Sequence, residues 1–391
     1  MKPKYCKREI EERLKAVLDS GDKILILYGA RRVGKTTLIR QLIAREGLKT
    51  LELSGDDIAV SDALSSRDSV RLLGLTAGYD IAFIDEAQRI PEIGLGLKII
   101  HDALPSLRLI VTGSSSLDLA SKTREALTGR TWTWSLFPFS IQELSASKNP
   151  FEQERTLERD LVYGFYPEVQ TAEADTLRAA YLRELHSSYL FKDVLEIAGI
   201  RQPRKIVDLV RLLAWQVGSE VSFSELGSKL GMNKDTVMNY VDLLEKSFII
   251  FRLQPHSRNL RNEVTRSPKI YFCDNGVRNA AINDFRAFSD RNDQGSLWEN
   301  FIISERRKRI HAANIGIEPR YWRLHTGAEI DYVEERNGQL HGWEIKLSPT
   351  KKAHMPASWT EAYPGATWNR VDRSNYREFI TGDIGPVTYS R

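Results

Sequence analysis

The sequence predicts an α/β protein, and three observations support this fold class. Residues 23–28, 79–84 and 106–112 are short runs rich in consecutive aliphatic side chains, the pattern of strands that are buried on both faces of a parallel sheet. The first run leads through a glycine-containing loop into residues 37–45, whose apolar side chains have helical spacing. Towards the other end of the chain, an Asn-Gly pair at residues 337–338 is flanked by strand patterns, which predicts a β-hairpin.

The composition excludes several classes of protein. The chain has 391 residues, of which 41% are hydrophobic and 28% charged, which allows about two to four domains with buried cores and excludes a largely disordered chain. Its apolar runs fall far short of the roughly 18 residues of a membrane-spanning helix, and its basic start leads into a charged segment, unlike a signal peptide. With only Cys6 and Cys273, we expect no disulfide framework and a cytoplasmic location without membrane contact.

The charge of the chain does not identify a class of partner. The chain has 56 Lys and Arg against 52 Asp and Glu, a formal net charge of +4, and both signs are interspersed. A nucleic-acid partner is compatible with this balance but not implied by it, and a solvated surface is the simpler interpretation.

A glycine-rich loop joins the first predicted strand to its helix. Residues 29–36 match the pattern G-x-x-x-x-G-K-[ST]. In this context the backbone amides and the helix N-terminus bind phosphate oxygens, Lys35 reaches the β- and γ-phosphates, and the Thr36 hydroxyl binds Mg²⁺. We therefore predict ATP and Mg²⁺ as ligands. The predicted nucleotide-binding residues of this loop are Gly29, Ala30, Arg31, Arg32, Val33, Gly34, Lys35, Thr36 and Thr37.

The second predicted strand ends in two carboxylates, Asp85 and Glu86. A carboxylate that leaves a strand beside a phosphate loop can hold Mg²⁺, so Asp85 is predicted to bind both nucleotide and metal. Glu86 is predicted to polarise the attacking water as a general base.

Three further residues are candidates for contacts with the γ-phosphate. Ligands of such sheets lie at the carboxyl ends of the strands, where the third strand presents Thr112 and Ser114. Either hydroxyl is a candidate sensor of the γ-phosphate, and a serine-rich turn without a role is the alternative. Arg130, which precedes a strand-like run at residues 131–136, is a candidate for stabilising phosphoryl charge in its own subunit or a neighbour's. An ordinary surface arginine is the alternative.

Taken in order, these motifs resemble the prokaryotic AAA-type ATPases of the archaeal-ATPase group. The resemblance rests on GARRVGKTT, FIDEAQ, VTGSSS, LTGR and FPFSIQEL, and it continues through residues 163–168 and 189–194 to cover nearly the whole chain. It implies an ATPase core followed by a C-terminal domain of unknown function. Tyr163 stands where the family commonly has a glycine, a departure that concerns the flexibility of that loop and not nucleotide binding.

Helical patterns dominate the middle of the chain. The periodicity of residues 149–201 predicts a helical lid or connector. Residues 222–233 and 234–246 predict two helices joined by a glycine-containing turn, and residues 248–253 predict a strand, an order typical of a winged helix. The exposed positions of the second helix include three acids against two lysines, so docking to a protein is at least as compatible with this surface as binding to DNA.

The Asn-Gly turn fixes which residues of the predicted hairpin face each other. Residues at equal distances from the turn pair, so Asp331 lies across from Glu344 and Glu329 lies across from Lys346. Alternation places these four side chains on one face of the hairpin. Directly opposed carboxylates repel unless they share a proton or a cation. The opposite face, which we expect to be core, carries Ile330, Tyr332, Trp343 and Ile345.

This arrangement resembles the PD-(D/E)xK nuclease fold. Asp331 and the Glu344-x-Lys346 triplet match its motif, and Glu299, on the preceding predicted helix, matches the additional carboxylate of many members. The resemblance implies that Glu299, Asp331 and Glu344 hold a second divalent metal, Mg²⁺ or Mn²⁺, and that Lys346 is catalytic. The alternatives are a solvated charged strand face and a nuclease-like fold without activity.

The sequence therefore predicts four parts. They are a P-loop AAA-type ATPase core (1–148), a helical lid or connector (149–201), a winged-helix-like segment (202–256) and an α/β restriction-endonuclease-like domain (257–391). Two functions follow: a Mg²⁺-dependent ATPase coupled to a nuclease-like module, with DNA as a candidate target, or a nucleotide-dependent switch that binds a protein partner and has a catalytically silent nuclease-like fold. Assembly into a homo-oligomer stays open, because Arg130 in a neighbouring subunit would require it.

Overall fold

The computed structural model describes residues 5–113, 126–190, 203–257, 267–351 and 353–382. The chain divides into two units. The first holds Met1–Phe139, Ser188–Ile200 and Lys246–Phe248, and the second holds Ser140–Ser187, Arg201–Glu245 and Ile249–Arg391. No helix within the described ranges combines the length and the apolar character that crossing a membrane requires.

The first unit is built on a parallel sheet of five strands in the order β2-β3-β4-β1-β5. Its strands are β1 (Ile24–Tyr28), β2 (Thr50–Ser54), β3 (Ile81–Asp85), β4 (Arg108–Gly113) and β5 (Thr131–Ser135). Every residue of β1 is buried, as are the first four of β3 and the last five of β4. This burial explains the runs of consecutive aliphatic residues, since both faces of these strands are covered. The four predicted strands are confirmed, and β2 lies outside the predicted set.

Among the described residues of this unit, five helices accompany the sheet: α1 (Glu11–Ser20), α2 (Lys35–Glu46), α3 (Ile58–Ser65), α4 (Ser69–Thr76) and α5 (Ile93–Ala103). The apolar face of α2 is buried through Leu38 and Leu42, and the helix ends at Gly47, whose φ of 65° is the left-handed conformation that favours glycine. Because α2 follows β1 after one short loop, its N-terminus lies at the carboxyl edge of the sheet, where ligands of parallel sheets bind.

The second unit is built on a mixed sheet of six strands in the order β11-β10-β9-β8-β6-β7. These strands are β6 (Ile250–Pro255), β7 (Lys269–Phe272), β8 (Arg320–Arg323), β9 (Glu329–Arg336), β10 (Gln339–Ile345) and β11 (Thr367–Val371). Strand β9 pairs antiparallel with β8 and β10, whereas β10 and β11 are parallel. The predicted strand at residues 248–253 is β6, and it is a member of this sheet.

The hairpin of β9 and β10 has the predicted register. Arg336 pairs with Gln339 next to the turn, and the pairing continues to Tyr332 and Trp343. Asn337 and Gly338 have φ angles of 50° and 75°, as a type I′ turn requires. Beyond the last pair, the amide of Ile345, two residues after Trp343, donates to the carboxylate of Asp331 at 2.9 Å. The hairpin therefore brings Asp331 to the end of β10.

Eleven helices of the second unit are described. They are α6 (Ile141–Leu144), α7 (Pro150–Tyr163), α8 (Pro167–Thr171), α9 (Asp175–Glu184), α10 (Pro203–Trp215), α11 (Phe223–Leu230), α12 (Lys234–Lys246), α13 (Asn275–Ala281), α14 (Gln294–Ala313), α15 (Ala357–Ala362) and α16 (Tyr376–Thr381). The predicted helix pair at residues 222–246 is present as α11 and α12. Glycine is required in α11 at Gly227, since a Cβ there would lie 2.6 Å from the Met232 carbonyl oxygen.

The division of the chain differs from the predicted one in two places. Residues 149–187, most of the predicted helical lid or connector, belong to the second unit. Within that unit, the buried amides of Asn275 and Asn279 donate to the carbonyls of Leu161 and Val162 in α7, at 3.0 and 2.7 Å. The predicted boundary between residues 256 and 257 separates β6 from β7, which are paired. Helical periodicity shows that a face is covered but not which neighbour covers it.

Candidate active site

The glycine-rich loop is folded tightly at the end of β1. A Cβ at Gly29 would lie 2.2 Å from the carbonyl oxygen of Leu136, so only glycine allows the two backbone segments to approach this closely. Gly34 has a φ of 98° and Arg32 a φ of 65°, both in the left-handed region. Gly34 also occupies the N-cap of α2. Having no side chain there, it leaves the first amides of the helix available to an anion.

Lys35 is 5% exposed and lies against the loop. Its ammonium group donates to the carbonyl oxygens of Gly29 and Ala30 at 2.8 and 3.0 Å. The loop thus holds the positive charge at the point where the amides of α2 begin. This is the position from which the predicted phosphate contact is made.

The carboxylate of Asp85 accepts hydrogen bonds from two hydroxyl groups at the carboxyl edge of the sheet. The Thr36 hydroxyl donates to Asp85 Oδ2 at 2.8 Å, and the buried Thr112 hydroxyl donates to Oδ1. The two predicted Mg²⁺ ligands, Thr36 and Asp85, are therefore in direct contact. Because a hydroxyl and a carboxylate are the oxygen donors that Mg²⁺ prefers, this pair fits the ion. Thr112 orients the carboxylate in this arrangement, a role distinct from its predicted contact with the γ-phosphate.

Glu86 follows Asp85 with a φ of 51°, a conformation that is uncommon outside glycine. Its carboxylate accepts a hydrogen bond from the Gln88 side-chain amide. The neighbouring strand end is adapted to this turn, because a Cβ at Gly55 would lie 2.4 Å from the Glu86 carbonyl oxygen. Gly55 is a site residue that the sequence motifs do not mark. The turn places Glu86 directly beyond the Asp85 carboxylate.

Ser114 and Arg130 are two further predicted contacts of the γ-phosphate. Ser114 lies outside the described residues. Arg130 precedes β5, and its carbonyl accepts from the Ile24 amide at the start of β1, so it lies at the amino edge of the parallel sheet. Its guanidinium pairs with Asp102 at 2.8 and 3.1 Å. Ligands of parallel sheets bind at the opposite, carboxyl edge, so the structure does not bring Arg130 together with Lys35 and Asp85.

Arg8, which was not among the predicted residues, forms a hydrogen bond with the backbone of the glycine-rich loop. Its side chain, which is 5% exposed, donates to the carbonyls of Val33 and Phe137 at 2.9 and 2.6 Å. It also lies 4.7 Å from the centre of the Phe139 ring. The contacts span 25 and 129 residues of sequence, so no local motif reveals them.

The second unit contains a cluster of four carboxylates and two lysines, which we call the acid–lysine cluster. Its members are Glu299, Glu329, Asp331, Glu344, Lys269 and Lys346. The predicted residues Glu299, Asp331, Glu344 and Lys346 are thus brought together. The prediction missed Lys269, the first residue of β7. A lysine at the head of an apolar strand is the available signal, because buried lysines require partners.

The cluster is largely withdrawn from water. Lys269 is 3% exposed and Asp331 is 7% exposed, so the solvated strand face considered above is wrong. Burial and then the negative charge of Asp331 raise the pKa of the Glu299 carboxyl, which also accepts from the Tyr271 hydroxyl at 2.7 Å. Burial alone would lower the pKa of Lys269, but the surrounding carboxylates outweigh it and raise that pKa.

The arrangement does not fit a bound divalent metal. Within the ranges that the structure describes, no three His, Cys, Asp or Glu side chains are arranged to hold a metal ion. The space between the carboxylates is taken by ammonium groups: Lys269 contacts Glu329, and Lys346 contacts Glu344. The metal site predicted at Glu299, Asp331 and Glu344 is therefore replaced here by ion pairs.

Comparison with known families assigns the phosphate-loop region. The model of a family described as an AAA domain matches residues 21–145, which include the loop, Asp85 and all the strands of the first sheet. Residues 21–145 are thus similar to an AAA domain. Two other family models match residues 154–287 and 294–376. Both are described as domains of unknown function, DUF8612 and DUF4143.

Relatives of this chain extend beyond the AAA domain. An uncharacterized protein of Mycobacterium tuberculosis is 29% identical over 350 residues, which cover 88% of this chain and 74% of that protein. An uncharacterized protein of Methanocaldococcus jannaschii is 23% identical over 404 residues, covering 98% of this chain and 87% of that protein. The structure of a Walker-type ATPase of Pyrococcus abyssi has a TM-score of 0.50 at 16% identity, covering 71% of this chain and 96% of its own. That similarity is one of fold.

Proposed function

We propose that the AAA domain binds ATP with Mg²⁺ and hydrolyses it. The observation that carries this proposal is the 2.8 Å contact between the Thr36 hydroxyl and the Asp85 carboxylate, beside the buried ammonium of Lys35. The sequence places these residues 49 positions apart, and the fold joins them at the N-terminus of α2. A hydroxyl, a carboxylate and an ammonium at a helix N-terminus together suit a metal-bound triphosphate.

Each side chain of the site has a role in this reaction. Amides of the loop and of α2 bind phosphate oxygens, while Lys35 exchanges its carbonyl partners for the β- and γ-phosphates. Thr36 and Asp85 would hold Mg²⁺, which supplies neutralisation of phosphate charge. Glu86 orients the attacking water and accepts its proton. Thr112 keeps the carboxylate of Asp85 in place through its hydroxyl.

Phosphate release with ATP and Mg²⁺ tests the proposal. We expect Lys35→Ala to abolish turnover, because the phosphate charge loses its counter-charge. Lys49→Ala is the matched control, since Lys49 is an exposed lysine just before β2, at the opposite edge of the sheet. Equal losses in both variants, or an undiminished rate in Lys35→Ala, would contradict the proposal.

Substitution of Glu86 tests the assignment of the base. Glu86→Gln keeps the size of the side chain and removes its basicity, so we expect normal ATP binding by calorimetry and loss of turnover. Glu52→Gln, at an exposed position of β2, is the control. Unchanged hydrolysis in Glu86→Gln would remove the base assignment and leave nucleotide binding intact.

For the second unit, we propose a winged-helix-like segment over residues 202–256, with α10–α12 and β6, and a restriction-endonuclease-like domain over residues 257–391, with α14 and β7–β11. The predicted register of the β9–β10 hairpin supports the latter. Of the two predicted functions, the ion pairs of the acid–lysine cluster favour the nucleotide-dependent switch with a silent nuclease-like fold. On α12, Asp242 and Glu245 form ion pairs with Arg252 at 2.8 and 2.6 Å. Arg252 neutralises two of the three acidic residues predicted to be exposed on this helix, so the remaining surface is compatible with either a protein partner or DNA.

A cleavage assay separates the two functions. We expect no cleavage of labelled single- or double-stranded DNA with Mg²⁺ or Mn²⁺, whether or not ATP is present. Cleavage that disappears in both Asp331→Ala and Lys346→Ala would instead establish the ATPase coupled to a nuclease acting on DNA. A copurifying nuclease would survive both substitutions.

A further inference from the structure

The acid–lysine cluster is organised around Asp331, whose two carboxylate oxygens are both engaged. Oδ2 accepts from the Ile345 amide at 2.9 Å and lies 3.6 Å from the Lys346 ammonium. Oδ1 lies 3.8 Å from the Lys269 ammonium. A carboxylate with a cation on each side has little remaining affinity for a third cation.

Lys269 is positioned differently from Lys346. Its side chain is 4% exposed, against 24% for Lys346. It reaches carboxylates from two elements: Glu299 of α14 at 3.9 Å, and Glu329 and Asp331 of β9, with Asp331 at 3.8 Å. A single buried ammonium thus lies among three carboxylates.

Removal of that charge would leave an unstable arrangement. Three carboxylates that face one another without a counter-charge repel, and Asp331, the most buried of them, also retains a large desolvation penalty. Oxygen donors converging from separate elements are also what a hard divalent cation binds. The ammonium and a divalent cation are therefore alternative occupants of the same space.

We propose that the ammonium group of Lys269 takes the place of a divalent cation in the acid–lysine cluster, so that the second unit holds its carboxylates together without a metal. The proposal concerns the second unit alone and goes beyond the proposed ATP hydrolysis. It explains why the sequence motif of a metal-dependent nuclease coexists with a geometry that no metal fits.

Counting bound Mn²⁺ tests the proposal. The full chain is used without nucleotide and with Asp85→Asn, so that the AAA domain contributes no metal site. Free Mn²⁺ is followed by its electron paramagnetic resonance signal during titration. We expect this background protein to bind no Mn²⁺ at the cluster, and the same protein with Lys269→Met to bind one ion, because the three carboxylates then require a cation.

Two further variants make the result specific. Lys346→Met is the matched control and creates no site, since Lys269 still neutralises the carboxylates. Lys269→Arg retains the positive charge and also binds no ion. Binding of Mn²⁺ by the background protein that Asp331→Asn removes would overturn the proposal, and so would a folded Lys269→Met variant that binds none.

Thermal unfolding provides a second measurement in case Lys269→Met is poorly stable. A ligand that binds only the folded state raises the melting temperature, so Mn²⁺ should raise that of Lys269→Met and leave that of the background protein unchanged. An equal shift in both proteins contradicts the proposal. None of these measurements depends on ATP turnover, so a failure of this proposal can be distinguished from a failure of the proposed function.

Discussion

Asp85 and Asp331 are aspartates near strand ends, and they differ in the charge of their partners. The carboxylate of Asp85 accepts from two neutral hydroxyls, those of Thr36 and Thr112. The carboxylate of Asp331 lies between the ammonium groups of Lys269 and Lys346. The number of carboxylates thus does not decide whether a site is ready for a metal. The charge of the groups that hold each carboxylate decides it.

The largest effect is expected for Asp85→Asn. Asparagine keeps the two hydroxyl contacts but loses the charge, so we expect kcat for ATP to fall about a hundredfold or more, roughly 3 kcal/mol of transition-state stabilisation. Asp80→Asn, at an exposed position just before the same strand, is the control. Steady-state phosphate release measures both. Near-normal turnover in Asp85→Asn would break the comparison, because the charge of Asp85 would then be dispensable.

A third carboxylate extends the comparison to a purely structural case. Glu334 is fully buried and accepts from Arg306 at 2.7 and 3.0 Å and also from Arg336. Glu334→Gln leaves Arg306 buried without its counter-charge, so the free energy of unfolding should fall by about 3 kcal/mol. Chemical denaturation at neutral pH measures this loss. A Gln variant as stable as the wild type would show that the pair adds nothing to the fold.

The same variant has a defined pH dependence. Burial alone would raise the pKa of Glu334, but Arg306 and Arg336 outweigh it and hold that pKa below its ordinary value. A carboxyl whose pKa is lowered by folding stabilises the protein above its unfolded pKa, about 4.3, and loses that contribution as the pH falls. The difference between wild type and Glu334→Gln should therefore be constant near neutrality and narrow below about pH 4.

A smaller effect is expected for Thr112→Val. Valine keeps the shape of threonine and removes the hydroxyl that orients Asp85, so kcat should fall about tenfold, roughly 1.4 kcal/mol, with KM for ATP little changed. Thr76→Val is a suitable control, since the buried Thr76 hydroxyl donates only within its own helix region, to Leu72 at 3.1 Å and to Leu73 at 3.4 Å. A rise in KM without a fall in kcat would indicate a contact with nucleotide instead of a positioning role.

The smallest effect is expected for Arg130→Ala. Its partner is Asp102, and both lie away from the phosphate loop, so turnover in dilute protein should change less than twofold. Measuring the rate against protein concentration extends the test to assembled chains. A loss confined to high concentration would assign Arg130 to a neighbour's site and establish a functional homo-oligomer.

How much of the site the sequence reveals depends on whether a contact follows from local order. Gly29, Gly34, Lys35 and Thr36 are predictable, because one loop and one helix start fix their geometry. The contact of Thr36 with Asp85 follows from two strands of one parallel sheet. The order of a parallel sheet also places Arg130, which precedes β5, at the amino edge, opposite the edge where ligands bind.

Other features depend on packing between distant segments. The facing residues of the β9–β10 hairpin follow from a two-residue turn and are confirmed down to Tyr332 and Trp343. Lys269 contributes to the cluster from β7, a strand that pairs with neither β9 nor β10. No turn or sequence spacing therefore predicts its contact with the carboxylates. Arg8 likewise reaches the loop only through the tertiary fold. Charge compensation across a sheet is decided by the folded chain as a whole.

The position of Arg8 has a practical consequence. The segment that starts at Tyr5 is joined to the phosphate loop through the hydrogen bond from Arg8 to the Val33 carbonyl. An affinity tag fused ahead of this segment would therefore lie close in sequence to a residue that shapes the catalytic loop. Kinetic constants should be compared before and after proteolytic removal of such a tag.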